Sequence, residues 1–252
     1  MSASRGQMGE LTADTIDTLR AETLGIYQDW IARAKENARK WYHWAENVIN
    51  AAKDAGVRYI VKQSGLNAGS DATSDVIHDH ATTDAMIKAS GLDYTLLQPN
   101  SFYQNFYGSL PTIQADGNFY APLGNAALSQ VDIHDVAAVA AQVLTSDGHV
   151  GKTYQLTGPE ALTSAEQAAL LSTASGKDIS FIDVPQADYA AALVSAGLDE
   201  RLSDTLAAMM AWFAIGDYAP VYDNVQNILG RPARSFESFA QEFAQVINAQ
   251  SS

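Results

Sequence analysis

His80 and Asp84 stand four residues apart in a stretch with a helical pattern, and Ser64 follows the apolar run that precedes it. A neutral histidine can relay a proton near pH 7, and a carboxylate beside it would favour the protonated imidazole. His80 and Asp84 are therefore candidates for acid–base catalysis. His-x-His spacing in His78-Asp79-His80, together with Asp84, would also suit zinc, although a solvated, aspartate-rich loop explains the same residues.

A strand–helix–strand pattern positions these residues. Gly56–Lys62 is a short β-branched run, Gln63–Ser74 is a polar loop, His80–Ser90 has a helical pattern, and Gly91–Asn100 contains a second apolar run. Continuous apolar runs separated by a helix predict a βαβ unit of a buried parallel sheet.

Ligands of such sheets collect at the carboxyl ends of the strands. Ser64 and Gly65 follow the first strand, and the turn Pro99-Asn100-Ser101 follows the second. The sequence therefore predicts the active site at this edge.

Composition limits the classes of function. A net charge of −14 argues against binding to nucleic acid or to an anionic membrane surface, and the absence of cysteine excludes disulfides and thiolate catalysis. No apolar run approaches the length of a membrane helix, and the amino terminus has no signal-peptide core. We expect a cytoplasmic protein that acts on a small molecule.

The residues before the βαβ unit have an amphipathic helical pattern from Thr12 onward, with Gly56 as a stop signal. Three of the four tryptophans lie there. The pattern predicts two or three helices whose apolar residues serve core or interface packing.

The residues after the unit read as short strands and helices. The predicted strands are Gly117–Pro122, Leu128–Val131, Lys152–Leu156 and Asp178–Asp183. The predicted helices are Val136–Leu144, Thr163–Ala174, Gln186–Ala196, Asp199–Ile215, Val221–Leu229 and Ser235–Ala249. Asp132 or Asp135 is expected to cap a helix, Thr163-x-x-Glu166 to form a capping box, and the stripe Phe236, Phe239 and Phe243 to pack in the core.

Four segments carry a resemblance to a known family. They are Asn47–Val61, Ser90–Asn100, Gly151–Glu160 and Leu229-Gly230-Arg231-Pro232-x-x-Ser235-Phe236. In this order and spacing they resemble the NmrA-like atypical short-chain dehydrogenases/reductases, especially the NAD(P)H-dependent quinone and dye reductases, from about Asn47 to Phe243.

The resemblance implies an α/β fold: a Rossmann-like parallel sheet, truncated at its amino-terminal half, with a helical amino-terminal extension and a small carboxyl-terminal helical lobe. It divides the chain into a helical segment at 1–46, a partial NAD(P)-binding core at 47–160, and a mostly helical substrate lobe at 161–252.

The resemblance also implies roles for individual residues. Ser64 matches the serine of the short-chain dehydrogenases, while His80 and Asp84 stand where typical members have Tyr-x-x-x-Lys. Hydride transfer to a quinone demands less of an active-site acid than carbonyl reduction, so this replacement is compatible with catalysis. His80 as a simple lining residue of the cleft remains the alternative.

The cofactor and substrate positions follow from the same match. Ser64, Gly65, Pro99, Asn100 and Ser101 would lie against the nicotinamide side of NADP or NAD. Four further residues would form the wall of a pocket for a flat ring: Phe102, Tyr103, Asn105 and Phe106.

One part of the family pattern is missing. The glycine-rich turn that binds the pyrophosphate should precede Asn47, but only a Gly6-x-x-Gly9 pair is present there. The amino-terminal half was replaced and the dinucleotide lost, or the helical segment covers the sheet edge and leaves a weakened site, or a partner chain completes the sheet in a homo-oligomer. An exposed parallel edge needs a cover, and for this role we expect four apolar residues: Trp30, Ile31, Trp41 and Trp44.

Two functions are consistent with these features. The first is NAD(P)H-dependent reduction of a small quinone-like or conjugated acceptor. The second is a non-redox protein, either a ligand-binding regulator or a cofactor-independent acid–base enzyme on the same scaffold.

Overall fold

The computed structural model describes residues 42–69 and 75–249. The chain forms two compact units, residues 1–48 and 49–252, and the boundary falls inside helix α1, described from residue 42 to residue 54. Trp30, Ile31, Trp41 and the Gly6-x-x-Gly9 pair lie outside the described residues, and Trp44 is 61% exposed. The covering role of the tryptophans therefore stays a prediction.

After α1, strands and helices alternate. In chain order they are β1 (Tyr59–Gln63), α2 (Asp75–Ala89), β2 (Asp93–Pro99), a 3₁₀ helix (Tyr103–Ser109), α3 (Leu110–Asp116), β3 (Asn118–Ala121), β4 (Ala127–Leu128), α4 (Ile133–Thr145), β5 (Lys152–Leu156), β6 (Leu162–Thr163), α5 (Ser164–Ser175), β7 (Ser180–Asp183), α6 (Gln186–Ser195), α7 (Glu200–Ile215), α8 (Asn224–Leu229) and α9 (Phe236–Asn248). The predicted βαβ unit is present as β1, α2 and β2. The 3₁₀ helix and α3 were not predicted. Within the described ranges, no helix combines the length and the hydrophobicity that a membrane span requires.

The central sheet is parallel, with the strand order β1-β2-β5. Successive residues of β2 point to opposite faces, and both faces are covered. Leu96 packs with Ile49 and Ile87, which belong to α1 and α2. Leu97 packs with Leu156 and with the α4 stripe that contains Val139. Helices therefore lie on both sides of a parallel sheet, as the Rossmann-like prediction requires.

A second core lies among β3, α5, β7 and α9. Phe236, Phe239 and Phe243 are at most 2% exposed and pack with Tyr103 and Phe106 of the 3₁₀ helix, so the prediction of core packing for the phenylalanine stripe is confirmed. The predicted capping box of α5 is also present. This core contains residues from both sides of position 160. The predicted division of the chain at that position stays a prediction.

Two buried aspartates connect α4 to the segment before α9 through hydrogen bonds and ion pairs. Asp132 is the predicted N-cap: its Oδ1 accepts from the His134 amide at 2.8 Å, and its Oδ2 accepts from Arg234 Nε at 2.8 Å. Asp135 accepts from the Arg234 amide at 2.6 Å and lies 2.7 Å from Arg231 Nη2. Burial alone would raise the pKa of Asp132, but His134 and Arg234 outweigh it and hold that pKa below its usual value.

We predict that Asp132→Asn lowers the free energy of unfolding by about 2 kcal/mol near neutral pH, because it leaves Arg234 without its buried partner. The pKa of Asp132 is lower in the folded than in the unfolded chain. Its contribution is therefore present above the unfolded value of 3.8 and lost as pH falls through the folded pKa. Urea unfolding of both proteins should show the difference shrinking below that pH.

Asp199→Asn is the matched control. Asp199 is exposed and caps α7 through the Arg201 and Leu202 amides. Asparagine caps equally well, so the change in unfolding free energy should stay below about 0.5 kcal/mol. Equal destabilisation by the two substitutions would contradict an ion-pair role for Asp132.

Candidate active site

The carboxyl ends of β1 and β2 meet, as predicted. The Ser64 amide donates to the Leu97 carbonyl at 2.6 Å, and the Leu66 amide donates to the Pro99 carbonyl at 2.8 Å. These bonds continue the sheet register past Gln63 and place the Ser64-Gly65 turn beside the turn that begins at Pro99. Both predicted halves of the site therefore lie at one sheet edge.

Asp84 is the polar centre of this edge. It is 3% exposed and accepts three hydrogen bonds: from Lys62 Nζ to Oδ1 at 2.5 Å, from Ser64 Oγ to Oδ2 at 2.7 Å, and from Gln98 Nε2 to Oδ2 at 3.5 Å. Two strands thereby donate to one carboxylate on α2. The sequence did not predict the roles of Lys62 and Gln98, although a charged lysine inside an apolar strand was a signal for Lys62.

His80 lies one helical turn before Asp84 and is half-buried. Its Nδ1 is buried, with no hydrogen-bond partner among the described residues. A buried N–H without an acceptor is costlier than a buried lone pair. The favoured form is therefore the neutral imidazole with its proton on Nε2.

The pKa of His80 is lowered, first by burial and second by the Lys62 cation, with Asp84 acting in the opposite direction. The expectation that a nearby carboxylate would favour the protonated imidazole holds for Asp84 itself, because Asp84 raises the pKa of His80. Burial and Lys62 outweigh Asp84, and neither could be inferred from the spacing of His80 and Asp84.

Asn100 and Ser101 differ in what they can offer a ligand. Asn100 is 3% exposed, and its amide nitrogen already donates to Ser129 Oγ at 3.0 Å and to the Tyr218 carbonyl at 2.9 Å. Ser101 Oγ accepts from Asn105 at 3.1 Å and from Gln130 at 3.3 Å, which leaves its own proton to donate. Asn100 therefore positions the turn, and Ser101 is the group available to a ligand.

The predicted pocket aromatics lie mainly in the core. Tyr103 and Phe106 are 1% and 7% exposed and pack on the α9 phenylalanines, and the half-buried Phe102 packs beside Val131. Asn105 is exposed. The substrate role of these four residues stays a prediction. In the structure, the three aromatic residues among them make packing contacts.

Another apolar surface borders the site. Leu66, directly after Gly65, packs with Phe213 and Tyr218, and α7 packs on α2. Six partly buried side chains adjoin this cluster: Phe181, Tyr189, Met209, Met210, Trp212 and Tyr222. Three of them, Met209, Met210 and Trp212, belong to α7, and we refer to these three residues as the α7 wall. The run Met209-Met210-Ala-Trp212-Phe213 could have indicated it, because Met and aromatic side chains adapt to flat apolar ligands.

Gly65 is buried, and the position of its absent side chain faces the His80 ring and Ile77. The polar groups at this edge are compatible with the nicotinamide end of a dinucleotide, because the Ser101 hydroxyl proton can be donated to a carboxamide oxygen. They do not fit zinc: Asp84 is occupied by Lys62 and Ser64, and the described ranges contain no group of three or more His, Cys, Asp or Glu side chains that could hold a metal ion.

Comparison with known proteins agrees with this geometry. The sequence profile described as NAD(P)H-binding matches residues 14–147, so the match begins upstream of Asn47 and includes much of the amino-terminal segment. The NAD(P)H azoreductase of Xenophilus azovorans is 37% identical over 203 residues, which cover 80% of this chain and 71% of that protein.

Solved structures share the fold. The NADPH-dependent quinone oxidoreductase of Escherichia coli, in complex with NADPH, matches with a TM-score of 0.73 at 33% identity, over 79% of this chain and 70% of that one. NmrA, a negative transcriptional regulator in complex with NAD, matches with a TM-score of 0.59 at 16% identity, over 80% and 69% of the two chains, which concerns the fold alone.

We predict that Gly65→Ala displaces the His80 ring. A Cβ at Gly65 would lie 3.2 Å from His80 Cδ2 and 3.3 Å from Ile77 Cδ1, so both neighbours must move by a few tenths of an ångström. Overpacking should cost about 1 kcal/mol of unfolding free energy and shift the His80 ring resonances in an NMR spectrum.

Gly108→Ala is the control for this substitution. A Cβ at Gly108 has nothing within 4 Å, and the glycine has no positive φ. This variant should keep wild-type His80 resonances and wild-type stability. Indistinguishable spectra for Gly65→Ala and wild type would contradict the close packing of Gly65 on the imidazole.

Proposed function

The chain belongs to the NAD(P)H-binding family, and we propose that it is an NAD(P)H-dependent oxidoreductase that reduces a flat, conjugated acceptor such as a quinone or an azo compound. The observation that carries the proposal is the position of His80, which packs against Gly65 at the edge where the carboxyl ends of β1 and β2 meet. The likeness to an NAD(P)H azoreductase and to an NADPH-dependent quinone oxidoreductase supports this substrate class.

Bound NAD(P)H would supply the hydride, and the residues at the sheet edge would position its nicotinamide ring. Gly65, Pro99 and Ser101 would hold the nicotinamide end, with the Ser101 hydroxyl donating to the carboxamide. Asn100 would act indirectly, because its amide is occupied by Ser129 and Tyr218.

His80 is the residue we assign to the acceptor. Its Nε2–H can donate a hydrogen bond to the acceptor oxygen or nitrogen on which negative charge develops, and such a donor stabilises the transition state. The lowered pKa keeps the imidazole neutral near pH 7. A neutral imidazole is a weak acid, which suits an acceptor whose reduced form is itself a weak base.

Ser64 and Asp84 support His80 without facing the acceptor. Ser64 is 2% exposed and its hydroxyl proton is donated to Asp84, so this proton is not available to a substrate. We therefore assign Ser64 and Asp84 as positioning residues. The α7 wall would contact the flat face of the acceptor with its Met and aromatic side chains.

His80→Ala tests the assignment. We expect kcat/KM for NADPH-dependent reduction of a naphthoquinone such as menadione to fall about tenfold or more, because a hydrogen bond made in the transition state is lost. The Kd for NADPH should change less than about twofold, because the imidazole donates to the acceptor. Steady-state kinetics and a fluorescence titration of NADPH measure the two quantities.

His78→Ala is the matched control, because His78 lies on the same helix and is exposed. It should leave both quantities unchanged. Full activity of His80→Ala would overturn the role of His80, and absence of reductase activity in the wild-type protein with quinone and azo acceptors would overturn the proposed function.

A further inference from the structure

Among the described residues, Lys62, Ser64 and Gln98 donate to Asp84, and we call these four residues the Asp84 cluster. Lys62 is its cationic member. It reaches α2 from β1: Nζ lies 2.5 Å from Asp84 Oδ1 and donates to the His80 carbonyl at 3.3 Å. Its side chain is 19% exposed. The lysine thus contacts both the carboxylate and the backbone of the turn that carries the imidazole.

We propose that Lys62 is a positioning residue for the reduction, supplying from strand β1 the cation that is absent from helix position 84. The proposal rests on the proposed function, because it concerns the same site. The reductase motif Tyr-x-x-x-Lys places its cation on the helix. Here that position is Asp84, and the cation lies two residues before Ser64 on the strand.

Charge balance explains why Asp84 needs Lys62. A carboxylate that is 3% exposed carries a large desolvation cost unless it is paired and hydrogen-bonded. Ser64 and Gln98 are neutral donors, so they solvate the charge without cancelling it. With Lys62 in place, the cluster is neutral and holds β1, β2 and α2 together.

The same balance determines the state of His80. Among the described residues, the charged groups that act on the imidazole are Lys62 from β1 and Asp84 from α2 itself. Helix α7 also packs on α2, but none of its charged side chains contributes to the shift in the pKa of His80. Lys62 therefore offsets Asp84. The buried Nδ1, for which the described residues supply no acceptor, disfavours the imidazolium independently.

Removal of the Lys62 charge and removal of the Asp84 charge should shift the pKa of His80 in opposite directions. In Lys62→Met, Asp84 is left uncompensated and stabilises the imidazolium, so the pKa of His80 should rise. In Asp84→Asn, Lys62 is left uncompensated, so this pKa should fall. The double variant Lys62→Met/Asp84→Asn should return towards wild type, and Lys62→Arg should keep the wild-type titration.

The measurement is an NMR pH titration of the histidine ring protons in the full chain without cofactor, with His80→Gln to assign the resonance. Lys88→Met is the control, because Lys88 is an exposed lysine in the last turn of the same helix. A merely structural Lys62 would not produce shifts of opposite sign. An unchanged His80 titration in either folded single variant would overturn the proposal.

Kinetics separate this proposal from the proposed function. Lys62→Met should lower kcat/KM for menadione about tenfold while the Kd for NADPH stays within about twofold, and Lys62→Arg should restore most of the activity. An active wild type with no loss in Lys62→Met overturns the role of Lys62 alone. An inactive wild type in which the NMR shifts occur overturns the reductase function alone.

Discussion

The buried carboxylate of Asp84 is the constraint on which the site depends. A carboxylate at 3% exposure would cost several kcal/mol if it were left unpaired, so the fold must bring donors to it. Lys62 and Ser64 come from β1 and its end, and Gln98 comes from β2. A shift of either strand would break these hydrogen bonds. They therefore determine the position of α2 on the sheet, and with it the orientation of the His80 side chain.

This arrangement connects the sheet register to the chemistry. The parallel register brings the Ser64-Gly65 turn beside Pro99, and the absence of a side chain at Gly65 lets the imidazole pack against the backbone. In the proposed function, a neutral imidazole then stands at the edge assigned to the reactive end of the cofactor. Family membership gives the cofactor, and the Asp84 cluster gives a physical reason why the proposed histidine site does not need the tyrosine and lysine of the common motif.

Local signals in the sequence were sufficient for most elements. The apolar runs predicted β1, β2 and β5, the spacing Thr163-x-x-Glu166 predicted its capping box, and the phenylalanine stripe predicted a core face. Each of these depends on residues close in the chain or on a simple period. The placement of Ser64 and Pro99 at one edge also followed from the βαβ pattern.

The rest depended on contacts between distant residues. Lys62 and Asp84 are 22 positions apart, and their pairing exists only once α2 lies on β1. Burial and Lys62 then outweigh the effect of Asp84 on the pKa of His80, and neither follows from local spacing. Tyr103 and Phe106 have the same aromatic character in a core as in a pocket, so their residue type could not show that they pack on α9. The α7 wall, which begins at Met209, lies more than a hundred residues after the βαβ unit along the chain.

Binding of NAD(P)H at the β1–β2 edge is the property on which the proposed function depends, although a complete glycine-rich turn is not evident in the sequence. It can be measured by isothermal calorimetry of NADPH and of NADH with the full chain, in parallel with quenching of tryptophan fluorescence. We expect saturable binding of at least one dinucleotide with a Kd on the order of micromolar, or about −8 kcal/mol. No binding of either dinucleotide up to about millimolar concentration, or weaker than about −4 kcal/mol, would contradict it.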